Sequence, residues 1–102
     1  MKIKKVEILE EVVGDLEDGR AFYNIKEPGV GEYFWDSLVS DIKSLILYAG
    51  IHLKQNGLHR MLSKRFPYAI YYEISNSIAQ VIAILPMRRD PAWIKTQLES
   101  RS

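Results

Sequence analysis

The sequence predicts an α+β fold: an N-terminal strand, an α-helical hairpin packed on a small antiparallel β-sheet, and a short C-terminal helix. Three observations carry this. Two apolar stripes at helical spacing fill the first half, joined only by the breaker-rich Glu27-Pro28-Gly29-Val30-Gly31. Two strand-like runs follow at 68–74 and 78–85, separated by Ser75-Asn76-Ser77. Asp90-Pro91 then opens a last helix, with Asp90 as N-cap and Pro91 at the first helical position.

Each element follows from its own spacing. In residues 2–8, Ile3, Val6 and Ile8 hold no strict face, which predicts a short edge strand. From Leu9 the period changes. Leu9, Val12, Leu16, Gly19 and Tyr23 make one stripe of a helix ending near Lys26, and Asp15, Glu17 and Asp18 read as its solvated face. The second helix turns Phe34, Leu38, Ile42, Leu45 and Ala49 inward and Asp36, Ser40, Asp41 and Lys43 away. Gly50 stands where a C-terminal cap belongs. So short a connector makes the two helices an antiparallel hairpin. Residues 51–57 are expected as a loop ending in Asn56-Gly57, and 58–66 as a strand carrying Arg60 and Lys64. Pro67 then imposes a bend or bulge. The 78–85 run is apolar at nearly every position, so it reads as central and covered on both faces. The order β-α-α-β-β-β-α is a helix hairpin on one face of a sheet.

Composition bounds the function. The chain has 102 residues, enough for one domain (1–102) with its own core. It has no cysteine, which excludes a disulfide scaffold, a thiol nucleophile and a cysteine metal site. Its two histidines, His52 and His59, lack carboxylates at ligand spacing, so no metal and no cofactor is expected; they read as surface loop and strand residues. Met1–Glu7 is basic but has no apolar core of a signal peptide, and no run approaches a membrane span. A cytoplasmic protein without membrane contact is the expectation.

Charge is distributed unevenly. Residues 1–57 hold seven Lys/Arg and ten Asp/Glu, whereas residues 58–102 hold seven and three. Antiparallel pairing of the last two strands should bring residues near 65 and 88 together. Arg60, Lys64, Arg65, Arg88 and Arg89 would then crowd one end of the sheet, suited to phosphate or an acidic partner. Plain readings stand beside this one. Arg65 and Arg88 could pair with Glu73 or Asp90, Trp93 could anchor the last helix rather than stack on a base, and Asp90 could simply cap. Tyr71 and Tyr72 point to opposite sides of their strand, so at least one belongs to the core.

Over residues 7–93 the chain resembles the RelE/ParE superfamily of bacterial type II toxins. The match is best with the branch that carries Arg-Arg-Asp-Pro-x-x-Trp. The matching residues are Asp15-Leu16 with Phe22-Tyr23, Gly29-Val30-Gly31 and Phe34, Arg65-Phe66-Pro67-Tyr68 with Ile70-Tyr71-Tyr72, the Val81–Leu85 strand, and Arg88-Arg89-Asp90-Pro91 with Trp93. The resemblance implies a growth-arresting, plasmid-stabilising toxin and a cognate antitoxin that masks it. Its target would be DNA gyrase, poisoned by binding, or the ribosome, where such toxins cut messenger RNA. A third implication is a non-toxic relic that only binds an antitoxin. Antitoxin or target contacts would fall on Arg60, Arg65, Tyr72, Arg88, Arg89 and Trp93.

Metal-free RNA cleavage needs a base for the 2′-hydroxyl, an acid for the leaving oxygen and cations for the phosphorane charge. Cations are plentiful, and guanidinium is the right type. With Tyr71, Arg60, Lys64, Arg65, Arg88 and Arg89 are the candidate catalytic residues. The chain has no His or Tyr after Tyr72, where superfamily nucleases often carry one, and Pro86 stands where many relatives are polar. The missing acid–base pair tilts the expectation toward gyrase-type binding over an endoribonuclease.

Overall fold

The order read from the sequence is present, with one strand added: β1 (Lys5–Ile8), α1 (Glu10–Lys26), α2 (Val30–Tyr48), β2 (Lys54–Gln55), β3 (Leu58–Leu62), β4 (Tyr68–Ser75), β5 (Ile78–Pro86) and α3 (Pro91–Arg101). The structure, a computed structural model, describes residues 2–101. Its five strands form one sheet in the order β1-β5-β4-β3-β2. β2 to β5 are antiparallel, but β1 runs parallel to β5, so the sheet is mixed rather than purely antiparallel. The intervening helix hairpin supplies the long crossover that a parallel neighbour requires. No helix among the described residues is long and apolar enough to cross a membrane.

Turn chemistry accounts for the hairpins. Asn76 and Ser77 have φ of 53° and 64°, the double positive φ of a tight two-residue turn between β4 and β5. Asn56 and Gly57 do the same with φ of 57° and 80°. The segment expected as a loop is therefore a hairpin whose first strand, β2, is two residues long. The strand expected over 58–66 stops at Leu62, and residues 63–66 bend away. That bend is pinned to α2, because Asp41 accepts hydrogen bonds from the Ser63 hydroxyl and the Lys64 N–H at 2.8 and 3.3 Å. Asp41 is therefore buried, contrary to its expected place on the solvent side of α2.

The helix hairpin closes through small residues and aromatic rings. A methyl group on Gly19 would lie 2.3 Å from the Phe34 ring, so only glycine lets α1 and α2 approach this closely. Asn24 Oδ1 accepts from the N–H groups of Gly29 and Gly31 at 3.1 and 2.8 Å, which satisfies donors at the start of α2. Tyr23, Phe34, Phe66 and Tyr68 pack edge-on or offset at 4.8–6.3 Å between centroids and join the bend to the hairpin.

β5 is covered on both faces, as its composition predicts. Ala79, Val81 and Ile84 face the helix hairpin, while Ile82, Ala83 and Leu85 pack with Leu98 of α3. A bulge makes this possible: Tyr71 pairs with Ala83 and Tyr72 with Val81, leaving Ile82 as the extra residue. Tyr71 and Tyr72 point to opposite faces, and both are buried.

Candidate functional site

β1 is shorter than β5, so β5 has an open edge beyond Val81, where the Leu9 N–H makes the last contact to its carbonyl at 3.0 Å. An unpaired buried strand edge must find other partners. Here Asp15 of α1 and Arg101 of α3 supply them. Asp15 Oδ2 accepts from the Ile84 N–H at 2.9 Å, and the Arg101 guanidinium donates to the Ile82 carbonyl at 3.3 Å. The two side chains meet in a two-pronged ion pair of 2.6 and 2.9 Å, with only 9% and 10% of their side-chain surfaces exposed. The Asp15 carboxylate is thus covered by the clasp and does not lie on the solvated face expected of it. Outward-facing N–H groups alternate along a strand, so the next would come at 86, where proline has none to satisfy.

Beyond this clasp, α1, α3 and the end of β5 enclose a groove of about 440 Å³. Its floor is Ile84, Leu85 and Pro86; Asp18, Phe22 and Tyr23 form one wall, and Trp93 and Gln97 the other. Pro67, Tyr68, Arg88 and Arg89 complete the lining. The position of the arginines follows from the hairpin, since the Met87 N–H donates to the Pro67 carbonyl at 2.9 Å. The predicted meeting of the residues around 65 and 88 is therefore present in the backbone. Asp90 Oδ1 accepts from the Ala92 N–H at 2.9 Å, so it caps α3 as read. Trp93 anchors α3, half-buried against the Leu98 cluster, and the Arg89 guanidinium lies 3.8 Å over its ring.

The groove suits binding better than proton transfer. Burial raises Tyr68 to about 12, helped by Tyr23, Asp18 and Asp15. Tyr23 is also raised, by burial against the opposing pull of Arg88. Neither phenol can supply a base near neutral pH. Asp15 is occupied by Arg101 and the strand edge.

No family model matches the chain, and no curated protein matches it. Among solved structures, a chain of the chromosomal ParDE TA system from P. aeruginosa matches with a TM-score of 0.75 at 16% identity. The match covers 82% of this chain and 96% of that one. The two chains share a fold.

Within this fold the candidate residues divide between two places. Arg88, Arg89 and Trp93 line the groove. Arg60 instead lines a depression on the opposite edge of the sheet, with His52, Lys54 and Leu62, and its Nε–H donates to the Tyr71 hydroxyl at 3.3 Å. Lys64 and Arg65 stand exposed on the bend. Among the described residues none of these cations pairs with Glu73 or Asp90. Tyr72 is 0% exposed and cannot touch a partner, which corrects its place among the contact residues. His52 and His59 are half-buried around it rather than free on the surface. The residue that reading missed is Arg101, whose partner lies 86 positions earlier in the chain.

Proposed function

We propose that this chain is the toxin of a type II toxin–antitoxin module, and that it arrests growth by binding DNA gyrase rather than by hydrolysis. The observation that carries the reading is the groove on a ParDE-type fold. It presents two guanidinium groups, one stacked on Trp93, over an apolar floor, and its two phenols are held protonated rather than available as bases. A cognate antitoxin would mask the same groove with carboxylates facing Arg88 and Arg89.

The test is expression of the chain alone in growing bacteria, with labelled thymidine and amino-acid incorporation followed over the first minutes. DNA synthesis stopping first is the expected result. Protein synthesis stopping first would favour the endoribonuclease reading, and continued growth the relic. Arg89→Glu should relieve the arrest while changing stability by about 0.5–1 kcal/mol, the worth of the lost stacking on Trp93. Full toxicity in that variant would remove the groove from the mechanism. The second reading also has an observation in its favour, because His52, Lys54 and Arg60 line one depression. Loss of arrest in His52→Ala and Arg60→Ala, with Arg89→Glu still toxic, would shift the reading to RNA cleavage there.

A further inference from the structure

From the end of α2 to β3, at the far side of the sheet from the groove, the chain leaves several large aliphatic side chains in water. Leu47, Ile51 and Leu53 are 77%, 72% and 87% exposed, and Ile46, Tyr48 and Leu62 follow at 42–51%. Leu53 and Leu62 line one shallow depression of about 570 Å³ together with His52, Lys54, Gln55, Arg60 and Met61. Exposed apolar side chains that share one depression with cations are the kind of surface that takes a partner.

The exposure is built in. Gly50, at φ +100°, turns the chain out of α2, and its N–H donates to the buried Tyr72 hydroxyl at 2.9 Å. The same hydroxyl is bonded to His52 Nδ1, and His59 Nδ1 donates to the His52 carbonyl at 2.7 Å. The His59 ring stacks on Tyr72 at 5.0 Å. A buried aromatic ring and two imidazoles thus fix residues 50–52 and hold Ile51 and Leu53 outward.

The backbone edge is also unfinished. β2 pairs only with Leu58 and His59, and the Leu53 carbonyl takes the Arg60 N–H at 3.0 Å. No strand among the described residues flanks Leu62, the next outward position of β3. Its charge has one sign. Residues 42–72 contain Lys43, Lys54, Arg60, Lys64, Arg65, His52 and His59, and not one Asp or Glu. Of the two acids that flank this run, Asp41 is buried against Ser63 and Lys64, and Glu73 stands on β4.

We propose that this edge docks an extended protein segment that carries leucine-class side chains and carboxylates, laid beside β3 beyond Leu53. Backbone pairing at an open edge gives such a segment affinity, and alternate side chains give it specificity. The apolar residues require cover that a phosphate backbone does not provide. A second copy presenting the same basic surface would repel the first. The proposal stands apart from the toxin reading, since its test needs no growth arrest.

The probe is a capped ten-residue peptide of alternating leucine and glutamate, titrated into the isotope-labelled protein and followed by amide NMR. Shifts should concentrate at Leu53, Lys54 and Arg60–Leu62. The glutamine counterpart should bind at least about tenfold more weakly and the lysine counterpart not at all. Leu53→Asp should abolish the shifts, and so should the milder Leu53→Ser, with the rest of the spectrum unchanged. Shifts centred on Arg88, Arg89 and Trp93, equal binding of the lysine peptide, or no shift at millimolar peptide would each overturn the proposal. Tighter binding at this edge by single-stranded oligoadenylate or by phosphatidylserine vesicles would overturn it too, in favour of RNA or a bilayer.

Discussion

Two edges of one sheet are held together differently in this protein. The β5 edge is closed by an ion pair between helices at opposite ends of the sequence. The β3 edge is held by a local network of Tyr72, His52 and His59, made of hydroxyl and imidazole groups. The first binds two charges out of water and is satisfied only while both are present. The second asks less of each partner and yields by degrees. The difference predicts that the groove fails all at once, whereas the apolar edge loosens.

The largest effect tests the first half of that statement. Asp15→Ala leaves Arg101 as a buried unpaired cation and strips the Ile84 N–H of its acceptor, so about 3–5 kcal/mol of stability should be lost. Arg101→Ala should cost somewhat less, because Asp15 retains the Ile84 N–H. Urea unfolding midpoints give both values. Asp15→Ala combined with Arg101→Met should recover part of the loss, since an apolar pair avoids the unpaired charge. A double variant no better than the singles would show that the clasp acts chiefly through the strand edge.

Tyr72→Phe tests the second half at a smaller scale. It keeps the ring in the core and deletes only the hydroxyl that binds the Gly50 N–H and His52. Gly50 is exposed, so water can replace that acceptor, and the cost should be about 1–2 kcal/mol. Amide exchange should quicken over residues 49–53 and stay unchanged at Ile84. Uniform loss of protection would mean that the two edges unfold as one unit.

The sequence made most of this architecture legible, and its failures share one cause. The turn between β4 and β5, the Asp90-Pro91 helix start and both helical stripes follow from local chemistry, and the structure contains them. Asp15 and Asp41 look solvent-facing in the sequence because they are charged. Yet each sits three residues after a buried residue of its own stripe: Val12, Asp15, Leu16, Gly19 on α1, and Leu38, Asp41, Ile42, Leu45 on α2. Position on the helix placed them inside, and their chemistry required partners that local pattern does not name. Those partners, Arg101 and the 63–64 bend, come from elsewhere in the chain. Likewise, β1 was readable as an edge strand but its parallel neighbour was not, because pairing direction depends on the path of the intervening helices. The arginines were read as one cluster from their nearness to the strand ends. They separate because Arg60 lies on β3, two strands away from the β5 edge.

The smallest effect concerns pH and belongs to the β3 edge alone. Burial, then the neighbouring His59, lowers the His52 pKa below its ordinary 6.5. The unfolded chain therefore takes up a proton at higher pH than the folded one. Between 6.5 and the lower folded value the unfolded state binds more protons, so stability rises with pH across that window. This contribution is fully present above the window and declines as the pH falls through it. Once protonated, Nδ1 can only donate to the Tyr72 hydroxyl, so the charge develops at the contact that holds residues 50–52. The groove-lining Tyr23 and Tyr68 are raised above the ordinary phenol value and do not titrate in this range. Acidification from pH 7 toward 5 should therefore quicken exchange at residues 49–53 before it touches Ile84, and His52→Gln should flatten that response. An unaltered pH response in His52→Gln would show that His52 is not the group responsible.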